Sequence, residues 1–553
     1  MRAVLVALLA LTCSQESPPA QPREQPAPKP HVSNADFDLI VANGDVIDGT
    51  GRPRFRADVG VRGDTIVEIG DLRARTAATK LDATGDVVAP GFIDLLGNSQ
   101  SAVLIDPKLE GKVRQGVTTE VTGEGHSPGP VNDAMAAEME RTKPPGWPDV
   151  TWRTLGDFMR VVEKRGSAIN FAFYAGAANP REMIIGLGDR PPTADELQKM
   201  TAIVDRAMKD GAVGVASALI YPPGRFATTE ELTALAKHGG AYWTHLRNES
   251  SAIDAAIDEA LLIGRNAHVP VNIFHLKVGG RQNWGKMREV VQRIENARKT
   301  QDVASCIYPY TATSTDLTSI VPAWALEGGY LQFVAKLKDP ATRAKIADAL
   351  RAGRLAAPGS AAEIVVRGIR SDAMKHYESK RLDEIAAAMH TVPAEAALRL
   401  FEASIASPIG IYFSLSEDDM KLALEQPWVA VCSDSGAIVG EAVKSGAHPR
   451  AYGTFPRILG VYVRDEKLMP LEEAVRKMTS LAASRAFLAD RGILKAGMKA
   501  DVVVFDPKTI HDVSTYEDPH HFSVGVRDVI VNGTPILRDE TMTGALPGKM
   551  LKK

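Results

Sequence analysis

Apolar and polar positions alternate in two different ways along this 553-residue chain. Near each end the alternation has period two and is broken by turn residues. The segments are 38–46, 57–69 about Gly63-Asp64, 500–505, and 526–531 followed by Asn532-Gly533. Such alternation sends one strand face to a core and the other to water, and a Gly- or Asn-containing pair between two runs closes a hairpin. The middle is patterned otherwise. Short continuous apolar runs at 87–94, 118–123, 170–175, 213–219, 243–247, 271–278, 304–310 and 429–434 alternate with helical patterns such as 194–209 and 254–263. Continuous runs fit strands buried on both faces, and helices between them are the connections a parallel sheet needs. Eight such strands close a parallel barrel, so the pattern predicts an α/β protein: a TIM-like (β/α)8 barrel with a small β-sandwich assembled from both chain ends.

The bounds that follow are 35–86 and 491–553 for the two parts of the sandwich and 87–490 for the barrel. The connection between the seventh and eighth strands, about 317–426, is far longer than a usual crossover and carries its own helical patterns at 341–352 and 382–389. Long connections at the mouth of a barrel often act as lids, and this one is read as an inserted lid.

The N-terminus has a separate character. Met1-Arg2 precedes an apolar run at 3–11 and then Thr12-Cys13-Ser14, which describes an export signal over 1–16. Cys13 resembles the acylated cysteine of bacterial lipoproteins, although Ala10 stands where leucine is usual. Residues 17–34 are rich in proline and form an extended tether. The expectation is an exported protein, periplasmic or tethered to a membrane, with Cys13 as the candidate lipid anchor.

Composition changes the picture little. The formal net charge is −3, which leaves no electrostatic footprint for nucleic acid. Beyond the N-terminus no apolar run is long enough to span a bilayer. Cys306 and Cys432 fall inside predicted strands and read as small core residues rather than a disulfide. Oligomeric state is not legible.

The chemistry lies at strand ends. The runs 241–247, 269–277 and 428–434 carry His245, His275 and Asp434 near their C-terminal ends. One strand histidine is most often a hydrogen-bonded core residue. Three such endings in one chain point instead to a hydrolytic metal at the mouth of the barrel.

Several phrases occur as a set: Pro90-Gly91-Phe92-Ile93-Asp94, Gly116-Val117-Thr118-Thr119, Ala212-Val213-Gly214 with Tyr221-Pro222-Pro223-Gly224, and His448-Pro449-Arg450 with Gly453-Thr454-Phe455-Pro456-Arg457. With Ala500-Asp501-Val502-Val503-Val504-Phe505-Asp506 and Asn532-Gly533, the chain from about 35 to 547 resembles the amidohydrolase superfamily, and within it the D-aminoacylase or N-acyl-D-amino-acid deacylase family. The resemblance implies that His245 and His275 bind zinc. It implies that Asp434 takes a proton from metal-activated water and returns it to the leaving amine. It also implies that Lys277, Tyr308, Ser314 and Arg450 grip the substrate carboxylate. Lys277 lies two places beyond His275, on the same side of a period-two strand.

The departures from that family are specific. Where the superfamily has a histidine, any residue and a second histidine after Pro-Gly-Phe-Ile-Asp, this chain has Leu96 and Asn98, so the first metal position is expected to be absent and one zinc per chain is implied. Gly125 falls where the family has a bridging cysteine. Glu124 is the natural substitute, because a carboxylate oxygen also binds zinc, and His126 is the alternative. No lysine near the end of the fourth strand offers a carbamylated bridge. Arg247 lies on the ligand's side of its strand, where it is expected to orient Glu124 or substrate, or to pair with Glu249. His520 and His521 read as solvated loop residues. The resulting expectation is a zinc-dependent hydrolase that removes the acyl group from N-acyl-D-amino acids. A related hydrolase of cyclic amides or dipeptides, and a tethered pseudo-enzyme that binds ligand without cleaving it, stay open at this point.

Overall fold

The computed structural model describes residues 35–357 and 359–553, so the expected signal, tether and lipidation site lie outside the described residues. The architecture is α/β. A six-stranded parallel sheet runs in the order Val429–Val431, Val303–Ile307, Val271–Ile273, Tyr242–His245, Val215–Ala218, Ala175–Gly176. A three-stranded parallel sheet contains Phe92–Gly97, Val117–Thr122 and Asn170–Phe173. The two sheets meet twice. Asn170–Phe173 leads directly into Ala175–Gly176, and Gly97 makes a parallel bridge to Ser435, just past Val429–Val431. The residues of these strands are buried, as their continuous apolar runs require.

Helices alternate with the strands. Ala194–Asp210 shows why they form where they do: Thr193 and Glu196 make a capping box at its start, and left-handed Gly211 ends it. Its buried face is Met200, Val204 and Ala207, at helical spacing. Burying a side chain the size of valine or methionine contributes roughly 1.5–3 kcal/mol.

The two chain ends share one nine-stranded mixed sheet, joined where Val502–Phe505 pairs antiparallel with Val87–Pro90. The single strand expected at 87–94 is therefore two strands of different sheets. Gly91 N still bonds Asp501 O, whereas Phe92 N bonds Gly116 O, so the chain changes sheets at this residue. Proline at position 90 offers no amide to continue the ladder, and a Cβ on Gly91 would lie 2.2 Å from the Thr118 side chain.

The long connection carries its own small sheet, in which Ile409–Tyr412 pairs antiparallel with both Thr313–Asp316 and Ile364–Arg367. The expected helices appear as Pro340–Ala352 and Leu382–Ala388. They pack with Leu317, Phe333 and Phe401 in an apolar cluster distinct from the main core.

Candidate active site

The site is built where the parallel strands stop. His245 is the last residue of Tyr242–His245. His275 and Asp434 follow their strands in left-handed backbone, with φ of 34° and 50°. For non-glycine residues this conformation costs on the order of 1–3 kcal/mol and persists only where the surroundings enforce it. Glu124 sits between two left-handed glycines, Gly123 and Gly125, beyond Val117–Thr122. A Cβ on Gly125 would lie 2.7 Å from Cβ of Ala218, so a side chain does not fit there and the carboxylate one place earlier enters the site instead.

Glu124 Oε1 lies 2.9 Å from Nδ1 of His245 and 3.1 Å from Nε2 of His275. Ligand atoms of these three residues fall within 4.8 Å of one another. Two imidazoles and a carboxylate suit a divalent ion with one position open, so this donor set fits a catalytic metal. The outward ring nitrogens fit it too. His275 Nδ1 is 3.1 Å and His245 Nε2 3.2 Å from the carboxylate of Glu249. Neither contact has hydrogen-bond geometry; Lys277 bonds His275 Nδ1, whereas His245 Nε2 is a buried atom without a bonded partner. Coordination through His245 Nδ1 would put its ring proton on the side facing Glu249, while His275 Nδ1 lies between Glu249 and the Lys277 ammonium. Burial raises the Glu124 carboxyl, but bonds to both histidines outweigh it and hold the group far below its ordinary value. Glu249 is likewise depressed: burial opposes this, and His245, Lys277 and His275 overcome it.

Cations and hydroxyls stand beside this cluster. Lys277 Nζ lies 2.7 Å from Glu249 and 2.7 Å from His275 Nδ1. Arg450 donates to Asp434 at 2.7 Å and to the Ser314 carbonyl at 3.2 Å, with its guanidinium 4.7 Å from the centre of the Tyr308 ring. Burial keeps the Tyr308 phenol protonated, and its hydroxyl has no bonded partner among the described residues. His448 anchors Arg450, accepting from its amide N at Nδ1 and donating to Ala312 O from Nε2. Burial, then Arg450, keeps that imidazole neutral. One cavity of about 260 Å³ is lined by Glu124, His245, His275, Lys277, Tyr308, Ser314 and Asp434, and by Ser319, Arg354 and Tyr412 from the long connection.

The structure thus gathers all nine residues expected from sequence: Glu124, His245, His275, Asp434, Lys277, Tyr308, Ser314 and Arg247 line the cavity, and Arg450 bonds Asp434 and Ser314. Only the bonding partners expected of Arg247 are corrected. It lines the cavity but bonds Glu259 and the carbonyls of Arg225 and Ala227 rather than Glu124 or Glu249. The strand ends at His245, so period-two facing does not extend to residue 247. His126 is exposed and pairs with Glu182, away from the ligand cluster. His520 is part-buried, bonded to Tyr452 and the Ser445 carbonyl, whereas His521 is an exposed partner of Asp518. Cys306 and Cys432 are free and buried. Glu249 was missed as a centre of contacts. Its signal was a carboxylate four places after His245 in the same loop.

Known proteins resemble the chain over almost its whole length. A family model described as "Amidohydrolase family" matches residues 338–537. D-aminoacylase of Alcaligenes xylosoxydans xylosoxydans is 36% identical over 94% of this chain and 98% of its own length. N-acyl-D-glutamate deacylase of the same organism is 34% identical over 94% of this chain and 97% of its own. The solved N-acyl-D-glutamate deacylase of Bordetella bronchiseptica, complexed with zinc and a phosphonate mimic of the tetrahedral intermediate, superposes with a TM-score of 0.78 at 32% identity, covering 94% of this chain and 100% of that one. With His245, His275 and Asp434 at the ends of strands of one parallel sheet and relatives 34–36% identical over 94% of its length, this chain belongs to the amidohydrolase family, in its D-aminoacylase and N-acyl-D-amino-acid deacylase branch.

Proposed function

We propose that the protein is a zinc-dependent amide hydrolase that removes the acyl group from N-acyl-D-amino acids. The observation that carries this reading is that the Glu124, His245 and His275 cluster opens into the same cavity as Asp434, Lys277 and Tyr308. Zinc held by those three residues would polarise the amide carbonyl and acidify water. Asp434 stands at the cavity to accept the water proton and pass it to the departing amine, with Arg450 fixing its carboxylate. Lys277, Arg450, the free Tyr308 hydroxyl and Ser314 supply donors for the α-carboxylate of the substrate. Lys277 is pre-engaged by Glu249, so an incoming carboxylate competes for an ammonium that is already aimed.

The same proposal covers the architecture. The Gly97–Ser435 bridge and the continuity from Phe173 to Ala175 support closure of the parallel strands as a (β/α)8 barrel. The shared cluster of Leu39, Val59, Val502 and Ile530 supports a small sandwich formed by both chain ends. Residues 317–426 act as the lid, since Ser319, Arg354 and Tyr412 wall the cavity. The N-terminal segment exports the chain, and Cys13 tethers it.

Metal analysis beside a screen of N-acetyl-D- and N-acetyl-L-amino acids tests the reading. One zinc per chain and amine release from the D series are expected. Faster turnover of cyclic amides or dipeptides, or bound ligand with no product, would replace it with one of the alternatives above.

A further inference from the structure

We infer that Lys112 is a positioning residue for Asp434: its buried ammonium clamps the loop that presents that carboxylate. The inference rests on Asp434 being the proton carrier. Lys112 lies on the short helix Glu110–Val113, and its side chain is wholly buried. A lysine is almost never enclosed unless its charge is met. Here Nζ lies 2.8 Å from Asp94 Oδ2, 2.8 Å from Ser433 Oγ, 2.5 Å from the Ser435 carbonyl and 3.4 Å from Glu120 Oε2. Four oxygens around one ammonium form a cation site whose cation is part of the chain.

Two of those oxygens flank Asp434 directly. On one side, Ser433 N donates to Asp94 Oδ1 at 2.9 Å and its hydroxyl to Asp94 Oδ2 at 2.5 Å. On the other, Ser435 gives its carbonyl to Lys112 and bridges Gly97, and Ala437 N donates to Ser99 Oγ at 2.9 Å. Ser99 is itself held by Glu120 through its amide and its hydroxyl, each at 2.7 Å. The residue between these anchors is Asp434, in the left-handed backbone that aims its carboxylate at Arg450. Lys112, Asp94, Glu120 and Ser433 do not line the cavity. They act through Asp434, not on substrate.

The zinc-loaded full chain provides the test. Lys112→Met leaves Asp94 and Glu120 without their counter-ion and is the variant most prone to fail in folding, so Ser433→Ala, which removes the hydroxyl that Lys112 and Asp94 share with the loop while keeping the charges and the Ser435 carbonyl contact, decides the matter. A misplacement of about 1 Å costs on the order of 10²-fold in rate. Ser433→Ala is expected to keep its zinc and its KM while kcat falls by roughly 10- to 100-fold. Added to Asp434→Asn, the same substitution should slow turnover no further, because nothing is left to position. Equal losses in both backgrounds would mark a merely structural role, and unchanged kcat in Ser433→Ala would remove the clamp; either result overturns the inference. If Asp434→Asn alone keeps wild-type turnover, the proton-carrier reading falls and this one with it. If Asp434→Asn is slow and Ser433→Ala is not, only the clamp falls.

Discussion

Arg450 holds Asp434 by a single arm: Nη1 lies 2.7 Å from Oδ2, while Nη2 reaches 3.2 Å to the carbonyl of Ser314. One planar guanidinium therefore ties the loop after Val429–Val431 to the strand Thr313–Asp316 that leads into the long connection, while the Arg450 amide donates to a neutral His448. The group expected to grip substrate also fixes the carboxylate expected to move the proton.

Arg450→Lys tests that double duty. An ammonium cannot reproduce two directed bonds from one plane. The expected loss in kcat/KM is on the order of 10²-fold, about 2.7 kcal/mol of transition-state stabilisation, shared between a lower kcat and a higher KM. Steady-state kinetics with an N-acetyl-D-amino acid measures it. Repeating the assay on the corresponding carboxamide separates the roles, since an equal loss there would leave Arg450 serving Asp434 alone.

Glu249 faces the outward nitrogens of both histidines and also binds Lys277. Its replacement by glutamine keeps the shape and removes the charge. Carboxylates that orient ligand histidines typically account for 10- to 100-fold in metal affinity, so Glu249→Gln should lose zinc to a competing chelator at about that much lower chelator strength. Affinity within twofold of wild type would show that Glu249 serves Lys277 only.

The metal and a proton compete for His275. In the metal-free chain burial and Lys277 oppose protonation, but Asp434, Glu249 and Glu124 outweigh them and raise the imidazole to about 10. A folded value above the unfolded value of about 6.5 stabilises the metal-free protein fully below that pH, and the benefit is lost as pH rises through about 10. Zinc binding runs the other way. Between about pH 7 and 9 it should release on the order of one proton from this ring and tighten by roughly tenfold per pH unit. Calorimetry in buffers of different ionisation enthalpy counts that proton, and a count near zero would place the ring as neutral before metal arrives.

Most of the site was legible because strand ends are legible. An apolar run that stops at a histidine or an aspartate fixes where His245, His275 and Asp434 sit, while their roles and the choice of Lys277, Tyr308, Ser314 and Arg450 came from the family resemblance. Glu124 followed from the misfit of Gly125. What sequence hid is whatever depends on backbone after the strand has ended. Arg247 was projected along a period-two strand that had already turned away, toward Glu259. Lys112 carries no local signal of its role, because its partners Asp94, Glu120 and Ser433 are remote in sequence and meet it only on folding. The break at Gly91 was hidden in the same way, since 87–94 reads as one apolar run and the change of partner from Asp501 to Gly116 appears only on folding.

Gly125 makes the choice of third ligand testable. Removing Glu124 leaves two imidazoles, so Glu124→Ala should purify with little zinc and lose the thermal stabilisation that zinc gives the parent, which is about 2.7 kcal/mol when free metal is 100 times its dissociation constant. Restoring a ligand at the position where the family carries cysteine should fail in this backbone. Gly125 sits at φ 65°, and a Cβ there would meet Cβ of Ala218 at 2.7 Å, so Gly125→Cys adds both left-handed strain and a steric overlap. Each costs on the order of 1–3 kcal/mol. The double variant Glu124→Ala/Gly125→Cys is therefore expected to melt below Glu124→Ala alone and to stay zinc-poor. Adding Ala218→Gly, which clears the overlapping methyl, should recover part of that melting temperature. Full zinc occupancy in the double variant would mean that the loop can re-form around a thiolate, and that Glu124 is one of two acceptable ligands rather than the one this backbone requires.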